Sequence, residues 1–218
     1  MAVQLSVHRP LLDKFSSPQY GNFMIVTPFT PDPPYPTRIV GPQNALGTER
    51  SGGLHLSTVL RDIAATVGKS KDSATDDQLN WYASGGWLWE HIWDMAHAKA
   101  IDDGTMTNPG EFSCDGITGT PDRIDWSRPA VIELKCRWQS IRMFDSLEKN
   151  YWQELMQIKS YCWMTGIHEA DLVIFYVAGD WRPPVPGVRA VNLQFSEREL
   201  RESWEQVIGH ARKRGWLQ

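Results

Sequence analysis

The sequence predicts an α/β fold, a central mixed sheet flanked by helices on both faces, and three features carry that prediction. Residues 130–138, "AVIELKCRW", alternate between apolar and charged side chains from Ile132 onward. Residues 170–179, "ADLVIFYVAG", are apolar almost throughout. Around both lie stretches with apolar residues at helical spacing, opened by capping pairs or closed by glycine. Alternation reads as a strand with one charged face, and a short continuous apolar run as a strand buried on both faces. Strands separated by such helical stretches imply helices layered on a sheet.

The 218 residues suit one domain of medium size, with an arm over 1–53 and a body over 54–218. The formal net charge of -4 excludes a globally basic nucleic-acid binder but not a local basic groove. Cys114, Cys136 and Cys162 are odd in number, widely spaced and without a CxxC pair, so neither a disulfide framework nor an iron–sulfur cluster is expected. No leader opens the chain and no apolar run approaches about 18 residues, so the expectation is a soluble, cytoplasmic protein without a membrane partner.

The arm carries six prolines between Pro28 and Pro42, which remove backbone donors and favour extended geometry. Its interspersed Phe23, Ile25, Val26, Phe29 and Tyr35 are apolar enough to dock it on the body. Next, "STVLRDIAATVG" (57–68) reads as a short helix with Ser57 as cap and Gly68 as stop, and 69–78 as loop. "QLNWYASGGWLWEHIWDMAHAKAI" (78–101) is a longer helix whose apolar stripe is Trp87, Leu88, His91, Ile92, Met95 and Ala96. Glu90 falls between the apolar rows, facing either solvent or the sheet edge. The stretch 102–110 reads as loop.

Two adjacent strands follow, "EFSCDGI" (111–117) and "TGTPDRIDW" (118–126), then a turn at Ser127–Pro129. On the strand 130–138, Val131, Glu133, Lys135 and Arg137 share one face, and Ala130, Ile132, Leu134 and Cys136 the other. Glu133 and Lys135 thus project together, with Cβ atoms about 7 Å apart, and Asp122 on the preceding strand can reach the same place. A helix over 145–166 opens with Asp145 and Glu148 as a capping box and stops at Gly166; Gln157 and Tyr161, one turn apart, share a face. "VRAVNLQF" (188–195) is a further strand. A last helix opens with the capping box Ser196/Glu199 and ends in basic "ARKRG".

A glutamate–x–lysine pair alone is uninformative, since half-exposed strands often pair such residues in water. The ordered set is what matters: a helical glutamate, a Pro-Asp, an ExK on the next strand, and a following helix with Gln and Tyr one turn apart. In that set the chain resembles the PD-(D/E)xK nuclease superfamily, and within it the RecB-like and lambda-exonuclease-like (YqaJ) branches. The resemblance lies in "TPD" (120–122), "IELK" (132–135), "GWLWE" (86–90) and "QIKSY" (157–161), and covers about residues 85–180.

That resemblance implies a restriction-endonuclease-like core, an α/β/α sandwich. It implies that Asp122, Glu133 and the Leu134 carbonyl hold Mg²⁺ or Mn²⁺, one ion or two, that Glu90 binds a second ion or a water on it, and that Lys135 is the catalytic lysine. Hard oxygen ligands suit those cations, and a divalent ion polarises phosphate and acidifies water. Beside such a cation Lys135 would bind its proton less tightly and orient or deprotonate the attacking water, or as an ammonium it would steady the transition state. Gln157 and Tyr161 would support the site or contact DNA. The activity implied is exonuclease action on duplex DNA ends in phage-type recombination or repair, beside a single-strand annealing protein and in a ring of copies. The alternatives are an endonuclease of the same superfamily and a catalytically silent module that binds DNA or protein.

Other features weigh less. Arg137, Arg142 and Lys159 lie near the site in sequence and are candidates for a phosphate track. Most of the eleven tryptophans recur at helical intervals, as core residues do. His91 and His97 lack the HExxH order of a zinc hydrolase.

Overall fold

The computed structural model describes residues 25–29, 52–68, 76–138, 141–177 and 187–218. Its centre is the strand at residues 130–138 that the alternation predicted, now bounded as β7 (Ala130–Arg137), which pairs in parallel with β8 (Glu169–Tyr176). A parallel pair needs a crossover, and here it is helical. The chain leaves β7 through a 3₁₀ segment, Ile141–Ser146, then runs through the short α4 (Leu147–Asn150) and α5 (Trp152–Thr165). Gly166, in the left-handed region at φ 72°, ends α5 as expected of a glycine stop. β9 (Gly187–Gln194) runs antiparallel to β8, and β1 (Ile25–Phe29) antiparallel to β9. On the far side β6 (Arg123–Asp125) and β3 (Met106–Thr107) continue the six-stranded mixed sheet in the order β1-β9-β8-β7-β6-β3. A second sheet of three short strands holds β2 (Leu54–His55), β5 (Ile117–Gly119) and β4 (Phe112–Cys114).

The alternation along β7 sorts its apolar residues between two cores. Val131, with Leu172, Ile174, Val191 and Leu193, packs under α1 (Leu56–Thr66), α5 and α6 (Glu197–Lys213). Ile132 and Leu134, with Val173 and Ala190, pack under α2 (Asp76–Ala96), which precedes the short α3 (Ala98–Asp102). The architecture is therefore the predicted helix–sheet–helix sandwich. The capping box of α6 forms as predicted: the Glu199 N–H donates to Ser196 Oγ, and Glu199 Oε2 accepts from the Ser196 N–H at 2.9 Å. No helix among the described residues is long and apolar enough to cross a membrane.

Several expectations are corrected. The buried row of α2 is Trp89 and Trp93, at 6% and 5% exposure, while Trp87 and Leu88 of the expected stripe are each 54% exposed. "WLWEHIW" is apolar on every side, so periodicity could not choose the row; Phe175, stacked on Trp89 at 4.7 Å, shows which one the sheet takes. The helix expected over 145–166 breaks at Tyr151, and Asp145 caps nothing, because Ser146 stands at the N-cap of α4 without a side-chain bond. Tyr151 is buried, its hydroxyl bonded to that of Tyr176 on β8. Likewise α1 starts at Leu56, so Ser57 lies inside it and His55 precedes it without a side-chain cap bond. β3 falls in the stretch read as loop, and Asp76–Gln78, also read as loop, belong to α2. Of the arm, Ile25–Phe29 adds a strand to the sheet edge; residues 1–24 and 30–51 lie outside the described residues, as do 69–75.

A further correction positions the site. Residues 118–126 are not one strand: β5 ends at Gly119 in the small sheet and β6 begins at Arg123 in the large one, so Thr120, Pro121 and Asp122 form the crossing between sheets. Gly119 is needed there, since a Cβ would lie 2.8 Å from Tyr161 Cε1 and 2.9 Å from Met164 Sδ of α5. Gly119→Ala is therefore expected to cost about 1–3 kcal/mol by overpacking, read as a lower urea midpoint at unchanged slope.

Candidate functional site

β6 is short, and its pairing with β7 ends at Arg123↔Ile132. Beyond Ile132 no described strand covers that edge of β7. Leu134 lies there, and its N–H donates to Asp122 Oδ2 at 2.7 Å. A side-chain carboxylate thus replaces the missing strand, which the break of the chain at Thr120–Asp122 makes possible. On a strand the N–H and C=O of one residue point the same way, so the Leu134 carbonyl faces this open edge too.

Glu133 and Lys135 project together, as the spacing required, and the Lys135 ammonium bonds Glu133 Oε1. Glu133 is completely buried, and its Oε2 has no hydrogen-bond partner. Glu90 settles the choice left open by its position in α2: it is half-buried and turns to the sheet edge, within electrostatic reach of Asp122 and Lys135. Asp122, Glu133 and Glu90 therefore all lie within electrostatic reach of Lys135.

Their proton affinities record the crowding. Burial, and then the charge of Asp122, push Glu133 up to about 8 and Glu90 up to about 7. Asp122 is also raised, chiefly by burial and against the pull of Lys135. For Lys135 burial works toward a neutral amine, yet Glu133 and Asp122 outweigh it and hold the lysine above its ordinary value.

From the other side α5 supplies Tyr161, buried and accepting a bond from Gln157 Nε2 at 2.9 Å. Burial and the nearby Glu133 charge keep its phenol protonated, well above the usual tyrosine range. Gln157 and Tyr161 thus meet each other beneath the carboxylates.

The expected phosphate track is largely not where it was sought. The Arg137 guanidinium pairs with Glu154 of α5 and lies over the Tyr151 ring at 5.7 Å. Lys159, 200° around α5 from Gln157, lies over the Phe195 ring at 5.3 Å, away from the carboxylates. The Arg142 side chain lies outside the described residues.

Sequence reading missed Asp94 and Arg123. Arg123 Nε donates to Asp94 Oδ1 at 2.8 Å, and its Nη1 donates to the Asp122 carbonyl. The signal was present, since Arg123 follows the Pro-Asp directly and Asp94 stands one turn after Glu90, but a lone Asp and Arg at 29 residues' separation show no pattern.

No group of three or more His, Cys, Asp or Glu side chains among the described residues is gathered closely enough to enclose a metal ion. The fit therefore rests on Asp122, Glu133 and the Leu134 carbonyl, hard oxygens without sulfur or imidazole, and on the orphaned Glu133 Oε2. Such a donor set suits Mg²⁺ or Mn²⁺ completed by water and substrate oxygens.

No protein-family model matches the chain, and no curated protein does either. Solved structures similar to it include a phage-related exonuclease from Haemophilus somnus 129PT, at 18% identity over 72% of this chain and 79% of that one, with a TM-score of 0.47. An alkaline exonuclease from Laribacter hongkongensis is similar at 16% identity over 74% of this chain and 87% of that one, with a TM-score of 0.45. The latter protein is also seen in complex with dAMP, at a TM-score of 0.44. None reaches 0.5, so the reading of the site rests on its own geometry.

The raised Glu133 has a consequence for stability. Its folded value lies above the ordinary 4.5, so the folded chain binds more protons than the unfolded one between about pH 4.5 and 8, and stability falls as pH rises through that window. In metal-free protein Glu133→Gln is expected to remove a loss on the order of 3–4 kcal/mol between pH 5 and 8, measured as the difference between the two urea-denaturation profiles.

Proposed function

We propose that the protein is a metal-dependent deoxyribonuclease that hydrolyses phosphodiester bonds at duplex DNA ends, in recombination or repair. The observation that carries the reading is Glu133: a carboxylate with no exposure and one oxygen without a partner, beside Asp122 and Glu90. Burying like charges is costly unless a cation offsets them, and Lys135, with Arg123 already paired to Asp94, falls short of three carboxylates. Action at ends, rather than within a duplex, follows the resemblance of "QIKSY".

Asp122, Glu133 and the Leu134 carbonyl would hold Mg²⁺ or Mn²⁺, which when bound supplies Lewis-acid polarisation of the phosphate and a more acidic water. Glu90, at the edge of the same site, would bind a second ion or hold a water on the first. Lys135 has a directed role. Its ammonium bonds Glu133 Oε1, which places it at the site, where it would steady the transition-state charge or orient the attacking water. Tyr161, kept neutral, and Gln157 wall the site on the α5 side without adding charge.

End-labelled linear duplex and closed circular plasmid are incubated with Mg²⁺, Mn²⁺ or EDTA. The linear duplex is expected to be degraded only with metal, and the circle to persist. Lys135→Ala is expected to slow degradation by about 10²–10⁴-fold. Nicking of the circle would replace the exonuclease with an endonuclease. Metal-independent persistence of both DNAs would overturn the reading and leave a binding module.

A further inference from the structure

Glu90 and Asp122 come from different layers. Glu90 rides on α2, across one face of the sheet, and Asp122 lies in the crossing that enters β6. One side chain joins them. Arg123, 5% exposed, donates from Nε to Asp94 Oδ1 at 2.8 Å and from Nη2 to Asp94 Oδ2 at 2.5 Å, while Nη1 donates to the Asp122 carbonyl. Asp94 is the residue one turn after Glu90, so the fork grips α2 beside that carboxylate.

The geometry points to Arg123 and Asp94 as the positioning pair of the metal centre: one guanidinium fixes the main chain of Asp122 and the helical turn of Glu90 together, and so sets the separation of their carboxylates. The inference rests on the metal-dependent reading above. Three donors are engaged, and their division is informative. Two would suffice to fasten α2 to the sheet; the third goes to the carbonyl of Asp122 and orients the residue whose carboxylate also accepts the Leu134 N–H. The bend is thereby held from both its backbone and its side chain. A lysine at 123 keeps the charge but has one compact ammonium and lacks the planar fork that serves both partners. Groups that orient metal ligands from behind commonly govern affinity by 10–100-fold.

Mn²⁺ binding to the full chain is measured by isothermal titration calorimetry for the wild type, Asp94→Asn, Arg123→Lys and, as a destabilised control remote from the site, Ser196→Ala. Asp94→Asn and Arg123→Lys are expected to weaken Mn²⁺ binding by about 10–100-fold, and the Mn²⁺ concentration that half-saturates cleavage to rise in step. Ser196→Ala is expected to retain wild-type affinity, since a general loss of stability lowers the active fraction without moving the half-saturation point. Should Arg123→Lys fail to fold, Asp94→Asn decides, because the Asp94 side chain is 34% exposed and tolerates the isosteric amide. Folded Asp94→Asn with affinity within about twofold of wild type overturns the inference and leaves the metal-dependent reading standing. A wild type that binds no Mn²⁺ overturns both.

Discussion

The hydrogen bond from the Leu134 N–H to the Asp122 carboxylate closes an edge that the main sheet leaves open, and the candidate site is organised around that closure. β7 is paired with β8 from Val131 to Arg137, but β6 covers only its first residues, Ala130 to Ile132, on the other side. A central strand with a half-open edge has backbone groups that need partners. Supplying one of them from Asp122 brings a carboxylate to the edge, next to the Glu133 and Lys135 side chains. A longer β6 would have satisfied the backbone and excluded the acid.

The open edge also reconciles the two faces of the sheet. Glu133 and Lys135 share the face that packs under α5, whereas α2 packs on the face of Ile132 and Leu134. Glu90 could not meet Glu133 through the sheet. It meets it around the uncovered edge, where the faces are no longer separated by a strand. From the α5 side the same face of β7 is answered residue by residue: Arg137 by Glu154, and Glu133 by Tyr161 with Gln157 behind it. These contacts give the crossover helix one register, and they pair Arg137 with Glu154.

Electrostatics then separates structural pairs from the site. Arg128 is answered by Glu169 and Asp171, Asp62 by Arg214 and His210, and Arg137 by Glu154, each cation finding carboxylate nearby. At the site Glu133, Glu90 and Asp122 lie around Lys135, and burial first, then the charge of Asp122, raises the proton affinity of Glu133 and Glu90.

Much of this was legible in the chain. Alternation in "AVIELKCRW" assigned Glu133 and Lys135 to one face, since side chains on a strand alternate whatever their surroundings. The Ser196/Glu199 box and the Gly166 stop were equally readable, because caps are local chemistry. By contrast, the buried row of α2 and the break at Tyr151 were decided by Phe175 and Tyr176, residues far away in sequence. The departure of Asp122 from the strand likewise follows from β5 and β6 belonging to different sheets. Sequence alone thus determined the architecture and which carboxylates and lysine could meet, through local periodicity and residue chemistry. Only the tertiary structure decided how they meet: the short β6, the edge it leaves open and the Arg123–Asp94 fork depend on where strands end and which layers touch, and those follow from packing over the whole chain.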